Sequence, residues 1–326
     1  MSQVMPTHPI AATTVSASAP RPFFGANRDL FVGAVYGILA ALIWGAWPVV
    51  SRLGVLAAEP GAVALTAWDI AALRFAVAGL LLAPVVIRRG VAGVGWLGAG
   101  VMAVGAGVPY IVVVVSGLGM APAGHAGIIV PSCMLTFTMA GAWWLLGDRP
   151  APARLVGFAV ILAGVALIGA AGWNQGAVDA WAGQVLFVLG GLLWASYTVA
   201  AKAWRADPLH ATALVSVLSA ALYLPVYVFA GEPRVFSAPM DQVAFQAMFQ
   251  GVGAGIGALL FYTKAVALLG AARGAVFAAL VPGVAVLLAM PLLGEAPGMV
   301  EVAGLAVVTG GMLVALGLVG RRNIGN

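Results

Sequence analysis

Runs of about 20 apolar residues, separated by short breaks rich in Gly, Pro and charge, recur along nearly the whole sequence. That is the length an α-helix needs to cross roughly 30 Å of hydrocarbon. Inside lipid each segment must satisfy its own backbone polar groups, so the runs read as membrane-spanning helices. Spans are expected near residues 31–50, 66–87, 96–117, 123–146, 153–172, 183–201, 209–230, 245–268, 275–293 and 299–319. Turn chemistry marks the breaks, as in Glu59-Pro60-Gly61, Gly147-Asp148-Arg149-Pro150 and Gly294-Glu295-Ala296-Pro297. The fold class is therefore an all-α integral membrane protein of ten transmembrane helices. Composition agrees, with 63% hydrophobic and 8% charged residues, against about 45–50% and about 25% in soluble domains. The 44 glycines suit helices that pack closely through small residues, as membrane helices do.

Residues 1–30, rich in Ala, Pro, Ser and Thr, read as a disordered tail ahead of the first span. The basic residues fix the expected orientation. With ten spans both termini share a face, and Arg21, Arg28, Arg88, Arg89, Arg149, Arg154, Lys202, Arg205, Lys264, Arg273, Arg321 and Arg322 fall on it. Arg52 and Arg234 fall opposite, and Arg74 lies within a span. The positive-inside rule makes the terminal face, tail included, cytoplasmic. The expected location is a bacterial-type inner (plasma) membrane. The net charge of +5 is accounted for by this sidedness, so no nucleic-acid partner is expected; the partners are the lipid bilayer and a small-molecule solute, with a homodimer left open.

The chain repeats itself. A shift of 147 residues lays Asp148 on Glu295, Pro150 on Pro297, Gly157 on Gly304 and Gly164 on Gly311, and a shift of 150 lays Trp44 on Trp194 and Arg52 on Lys202. Residues 31–172 and 183–319 are thus two copies of one unit of five spans. Five is odd, so the second copy must cross the membrane in the opposite sense. Inverted repeats of this kind underlie many secondary transporters, which bind solute between the halves.

These residues carry a resemblance. A Pro-interrupted span, then Gly-Asp/Glu with Pro two residues after the acid, then a Gly-x6-Gly helix, together with Leu73-Arg74-Phe75, resembles the EamA family of the drug/metabolite transporter superfamily. The second copy matches more closely, with Pro282 thirteen residues before Glu295; the aligned position of the first copy is Leu135, with Pro131 one turn earlier. The resemblance covers about residues 31–319 and implies a ten-helix bundle with cytoplasmic termini that exports small metabolites, amino acids or drugs without ATP.

Candidate site residues are few. Arg74 sits too deep to reach water easily, and a charge there costs about 2.5–3.5 kcal/mol or more. It is either a counter-ion for an anionic solute group or an internal tie to Asp69 or to backbone carbonyls. Trp44 and Trp194 hold equivalent places in the first span of each half, with Trp47, Phe187 and Tyr197 at helical spacing. They are cavity walls or packing residues, and Tyr197 and Tyr110 join the candidate lining. His125 and Asp69 are the proton-coupling candidates, although His125 also reads as a lone polar end cap near water. Lys264 is read as a snorkelling lysine. Gly33-x3-Gly37, Gly251-x3-Gly255 and Gly253-x3-Gly257 are read as close helix contacts.

Cys133, the only cysteine, lies in an apolar run and leaves no disulfide or thiolate metal site. No phosphate-binding Gly-x4-Gly-Lys-Ser/Thr loop and no His-Glu-x2-His is present. The expectation is therefore no enzyme, no metal and no cofactor. The expected function is a secondary transporter exporting small metabolites, amino acids or related compounds or drugs. The alternatives are an importer or exchanger of a nucleobase or sugar conjugate, and a non-transporting sensor or assembly protein.

Overall fold

In the computed structural model, residues 23–57, 62–174 and 178–318 are described. Arg21, Arg321, Arg322, the Glu59-Pro60-Gly61 break and most of the expected tail lie outside them. The helices are α1 (Phe23–Val55), α2 (Ala67–Arg89), α3 (Gly95–Ala106), α4 (Val108–Met120), α5 (Ala123–Leu146), α6 (Pro152–Asn174), α7 (Val178–Ala203), α8 (Pro208–Ala230), a 3-10 turn (Arg234–Phe236), α9 (Met240–Ala247), a π-helical segment (Met248–Gly257), α10 (Ala258–Leu269), α11 (Ala271–Leu293) and α12 (Met299–Ala315). No strand occurs among the described residues. Nine helical stretches among them are long and apolar enough to cross a membrane, counting Gly95–Met120 and Met240–Leu269 as one each, and Met299–Ala315 is a shorter apolar helix. Large apolar side chains such as Leu80, Ile87, Leu97 and Phe229 point outward, the surface a bilayer solvates.

Three boundaries differ from expectation. The first helix opens at Phe23, so residues 23–30 of the expected tail are helical. Residues 96–117, expected as one continuous span, break at Gly107. Pro109 has no N–H to give and its ring clashes with the carbonyl four residues back, so α3 ends and α4 restarts with proline in its first turn. Residues 245–268, likewise expected as a plain helix, are π-helical over Met248–Gly257. A shift of 150 lays the break at Gly107 on Gly257, the last residue of the π segment.

Glycine motifs bring α6 and α12 together. A Cβ on Gly164 would sit 3.0 Å from the Gly304 carbonyl oxygen, and one on Gly311 would sit 2.9 Å from that of Gly157. As numbers rise along one helix they fall along the other, so the two run antiparallel. Gly33 and Gly37 are in close contact with Leu269 and Phe277. Of the interleaved pairs in the π segment, Gly251 and Gly255 face Val77 and Ala78 of α2, whereas Gly253 and Gly257 meet only their own helix.

Helix–helix contacts exchange when the halves are swapped. α1 packs on α10 and α11, while α7 packs on α3, α4 and α5; α2 packs on α8, and α5 on α11. The helix ends repeat as well. Gly147 and Gly294 close α5 and α11 with φ of 74° and 69°, left-handed values that favour glycine. The following acids donate their backbone N–H to Ala142 (3.2 Å) and Ala289 (3.3 Å), completing the same C-terminal cap twice.

Candidate functional site

A cavity of about 190 Å³ lies where the two halves meet. The first half lines it with Trp44, Trp47 and Pro48 of α1, Arg74 of α2, Tyr110 of α4 and Ala126, Gly127, Val130, Pro131 and Met134 of α5, and the second with Trp194 of α7, Ala254 of the π segment, and Ala278 and Val281 of α11. Prolines shape this wall. Pro48, Pro131 and Pro282 lie inside α1, α5 and α11, and each removes the helical donor of the carbonyl four residues before it. Those carbonyls belong to Trp44, Gly127 and Ala278, all three lining residues.

Aromatic rings form a connected wall. Tyr110 directly follows Pro109 in the first turn of α4. The break at Gly107 thereby sets its ring between Trp47 (ring centroids 5.9 Å apart, stacked) and Trp194 (4.7 Å, edge-on).

Tyr197 is not a lining residue; it stands behind Trp194, edge-on at 5.6 Å. Trp44 packs against Tyr262 at 5.2 Å. The Trp47 indole donates to Gln250 (2.8 Å), and Gln250 donates to Ser51 (2.9 Å) and to Gln246 (3.1 Å), which in turn donates to the Val50 carbonyl (2.7 Å). All of these polar groups are buried, so the ring of Trp47 is held at a fixed angle. Sequence reasoning missed the two glutamines. A signal exists for them: amides four residues apart on one face of an apolar span.

Arg74 opens into this cavity and is 9% exposed. It lies seven residues into α2, about 10 Å along the helix from its start. Of the alternatives for Arg74, the tie to Asp69 does not form. The Asp69 carboxylate accepts from the Thr66 backbone N–H (2.7 Å) and hydroxyl (2.7 Å), the Arg234 backbone N–H (3.0 Å) and the Tyr227 hydroxyl. Capping α2 and holding the turn after α8 occupies its lone pairs. Among the described residues Arg74 has no hydrogen bond or ion pair, and its electrostatic neighbour is the Tyr110 hydroxyl.

His125 is not a lone end cap. It is buried, with Nε2 2.7 Å from Glu301 and Nδ1 3.0 Å from the amide nitrogen of Gln184. With the amide donating to Nδ1, Nε2–H donates to Glu301. Nearby, Arg52 pairs with Glu295 and donates to the Leu118 and Ala121 carbonyls, and Glu295 accepts from the Ala123 N–H (2.8 Å). These contacts tie α1, α4, α5 and the turn after α11 at one end of the bundle. At the other end Lys202 pairs with Asp148, and Arg89 with Asp207 (3.3 Å). Lys264 is exposed, as a snorkelling lysine is.

An apolar helical bundle around a central aromatic-walled cavity defines a polytopic membrane protein. The chain belongs to the EamA-like transporter family, whose model matches residues 31–170 and again residues 181–317. No curated protein matches it. A crystal structure of a protein shares the fold, with a TM-score of 0.59 at 24% sequence identity over 89% of this chain and 98% of that one.

Proposed function

We propose that the protein is a secondary transporter that exports a small organic solute across the inner membrane through a path centred on this cavity. The observation that carries the reading is that both halves supply its walls. A ten-helix inverted repeat is the proposed architecture. The antiparallel α6–α12 contact and the exchange of packing partners between halves support it. Basic residues concentrated at the Lys202–Asp148 end support cytoplasmic termini.

Rocking of one half against the other would open the two ends in turn. The ion pairs Arg52–Glu295 and Lys202–Asp148 stand at those ends and must part for passage. Trp44, Arg74, Tyr110 and Trp194 are the proposed solute-binding residues, and His125 is the proposed proton-exchange site. Asp69, held by four donors, serves instead to cap α2 and hold the turn after α8.

The test is counterflow of labelled solutes in proteoliposomes, with and without a pH gradient. Trp44→Ala and Trp194→Ala are expected to reduce transport while insertion and folding persist. Absence of counterflow for every solute in a panel of organic acids, amino acids and cationic drugs would remove the transporter reading.

A further inference from the structure

We propose that the cavity selects organic monoanions, a single carboxylate on an aromatic or bulky apolar body, over zwitterions and cations. The proposal rests on the reading of this cavity as the solute site.

Arg74 brings a permanent positive charge with five donors, nine-tenths buried and unpaired among the described residues. Among those residues the cavity wall contains no Asp or Glu to balance it. Three carboxylates elsewhere in the bundle are committed: Asp69 to its four donors, Glu295 to Arg52 and Glu301 to His125. The site therefore carries one uncompensated positive charge in surroundings of low dielectric, where charge interactions are stronger than in water.

A carboxylate neutralises that charge and matches the planar fork of the guanidinium. Around it, Trp47, Tyr110 and Trp194 offer ring surface, with Trp47 fixed by Gln250. The ammonium of a zwitterion would sit close to Arg74 with no acid to oppose it. Carbonyls freed by Pro48, Pro131 and Pro282 are neutral acceptors: they suit a hydroxyl or amide on the solute but cannot cancel a charge.

Four probes share one phenyl body and differ in charge: 3-phenylpropanoate, phenylalanine, phenethylamine and 3-phenylpropanamide. Calorimetric titration of the full chain in nanodiscs is expected to rank 3-phenylpropanoate at least about tenfold tighter than phenylalanine, with the amine and amide weaker still. Arg74→Gln is expected to level the propanoate and propanamide affinities, and Arg74→Lys to keep part of the difference. The ranking on the unmodified chain stands as a test even if the variants fold poorly. Phenylalanine binding as tightly as the propanoate, a preference that survives Arg74→Gln, or no binding by any probe would each overturn the proposal. Counterflow separates the two readings. Propanoate bound but never moved would defeat transport and spare the selectivity, whereas preferential movement of phenylalanine would defeat the selectivity and spare transport.

Discussion

Arg52, near the end of α1, pairs with Glu295 just after α11, and their repeat counterparts, Lys202 of the second half and Asp148 of the first, pair in the same way. One sequence relationship has produced two ion pairs at the two ends of the bundle. They differ in environment: side-chain exposures are 16% and 18% for Arg52 and Glu295, against 60% and 48% for Lys202 and Asp148. Water screens the second pair far more than the first.

That difference sets the first prediction. Glu295→Gln leaves Arg52 largely buried without its acid, and breaking a buried pair costs about 3–5 kcal/mol. Asp148→Asn breaks an exposed pair worth about 1 kcal/mol or less. Thermal unfolding in detergent should therefore fall clearly for Glu295→Gln and hardly at all for Asp148→Asn. Equal shifts would mean the two ends are equally open to water.

Glycine substitutions test the α6–α12 contact. A Cβ at Gly164 would lie 2.6 Å from a Val308 methyl and 3.0 Å from the Gly304 oxygen, whereas one at Gly310 meets nothing within 4 Å. Gly164→Ala is expected to cost about 1–3 kcal/mol by overpacking, and Gly310→Ala to be neutral or slightly stabilising. The yield of monodisperse protein and its melting temperature report the contrast.

Gln250→Leu removes the acceptor for the Trp47 indole and the donor to Ser51 while keeping similar bulk. An unsatisfied buried donor costs about 1–3 kcal/mol, so a matching loss of stability is expected. Trp47 should also lose its fixed angle, and binding of 3-phenylpropanoate should weaken with it. Unchanged affinity alongside reduced stability would confine Gln250 to a structural role.

The proton role of His125 has its own signature. Protonation of Nδ1 would face the Gln184 amide N–H and require that amide to turn over. His125→Gln is expected to abolish the response of transport to an imposed pH gradient while solute counterflow at equal pH persists. A gradient response retained in His125→Gln would assign the residue to packing between α5, α7 and α12.

Helices and the repeat are legible in the amino-acid string without coordinates. Apolar run length alone marks a helix in lipid, and Asp148/Glu295, Gly157/Gly304 and Trp44/Trp194 stand in register whatever the packing. Arg74 is equally conspicuous there, because a charge deep in an apolar span has no ordinary place. The partner that each polar residue takes, by contrast, follows from how the helices assemble. Arg74 and Asp69 lie five residues apart on α2, yet Asp69 turns to Tyr227 and Arg234, contributed by α8 and the turn after it, and leaves the arginine to the cavity. His125 looks solitary in sequence because Gln184 and Glu301 are 59 and 176 residues away along the chain. Such pairings depend on which helices become neighbours, and in an apolar bundle that is settled by glycine contacts and side-chain shape across the whole fold, which no local pattern records.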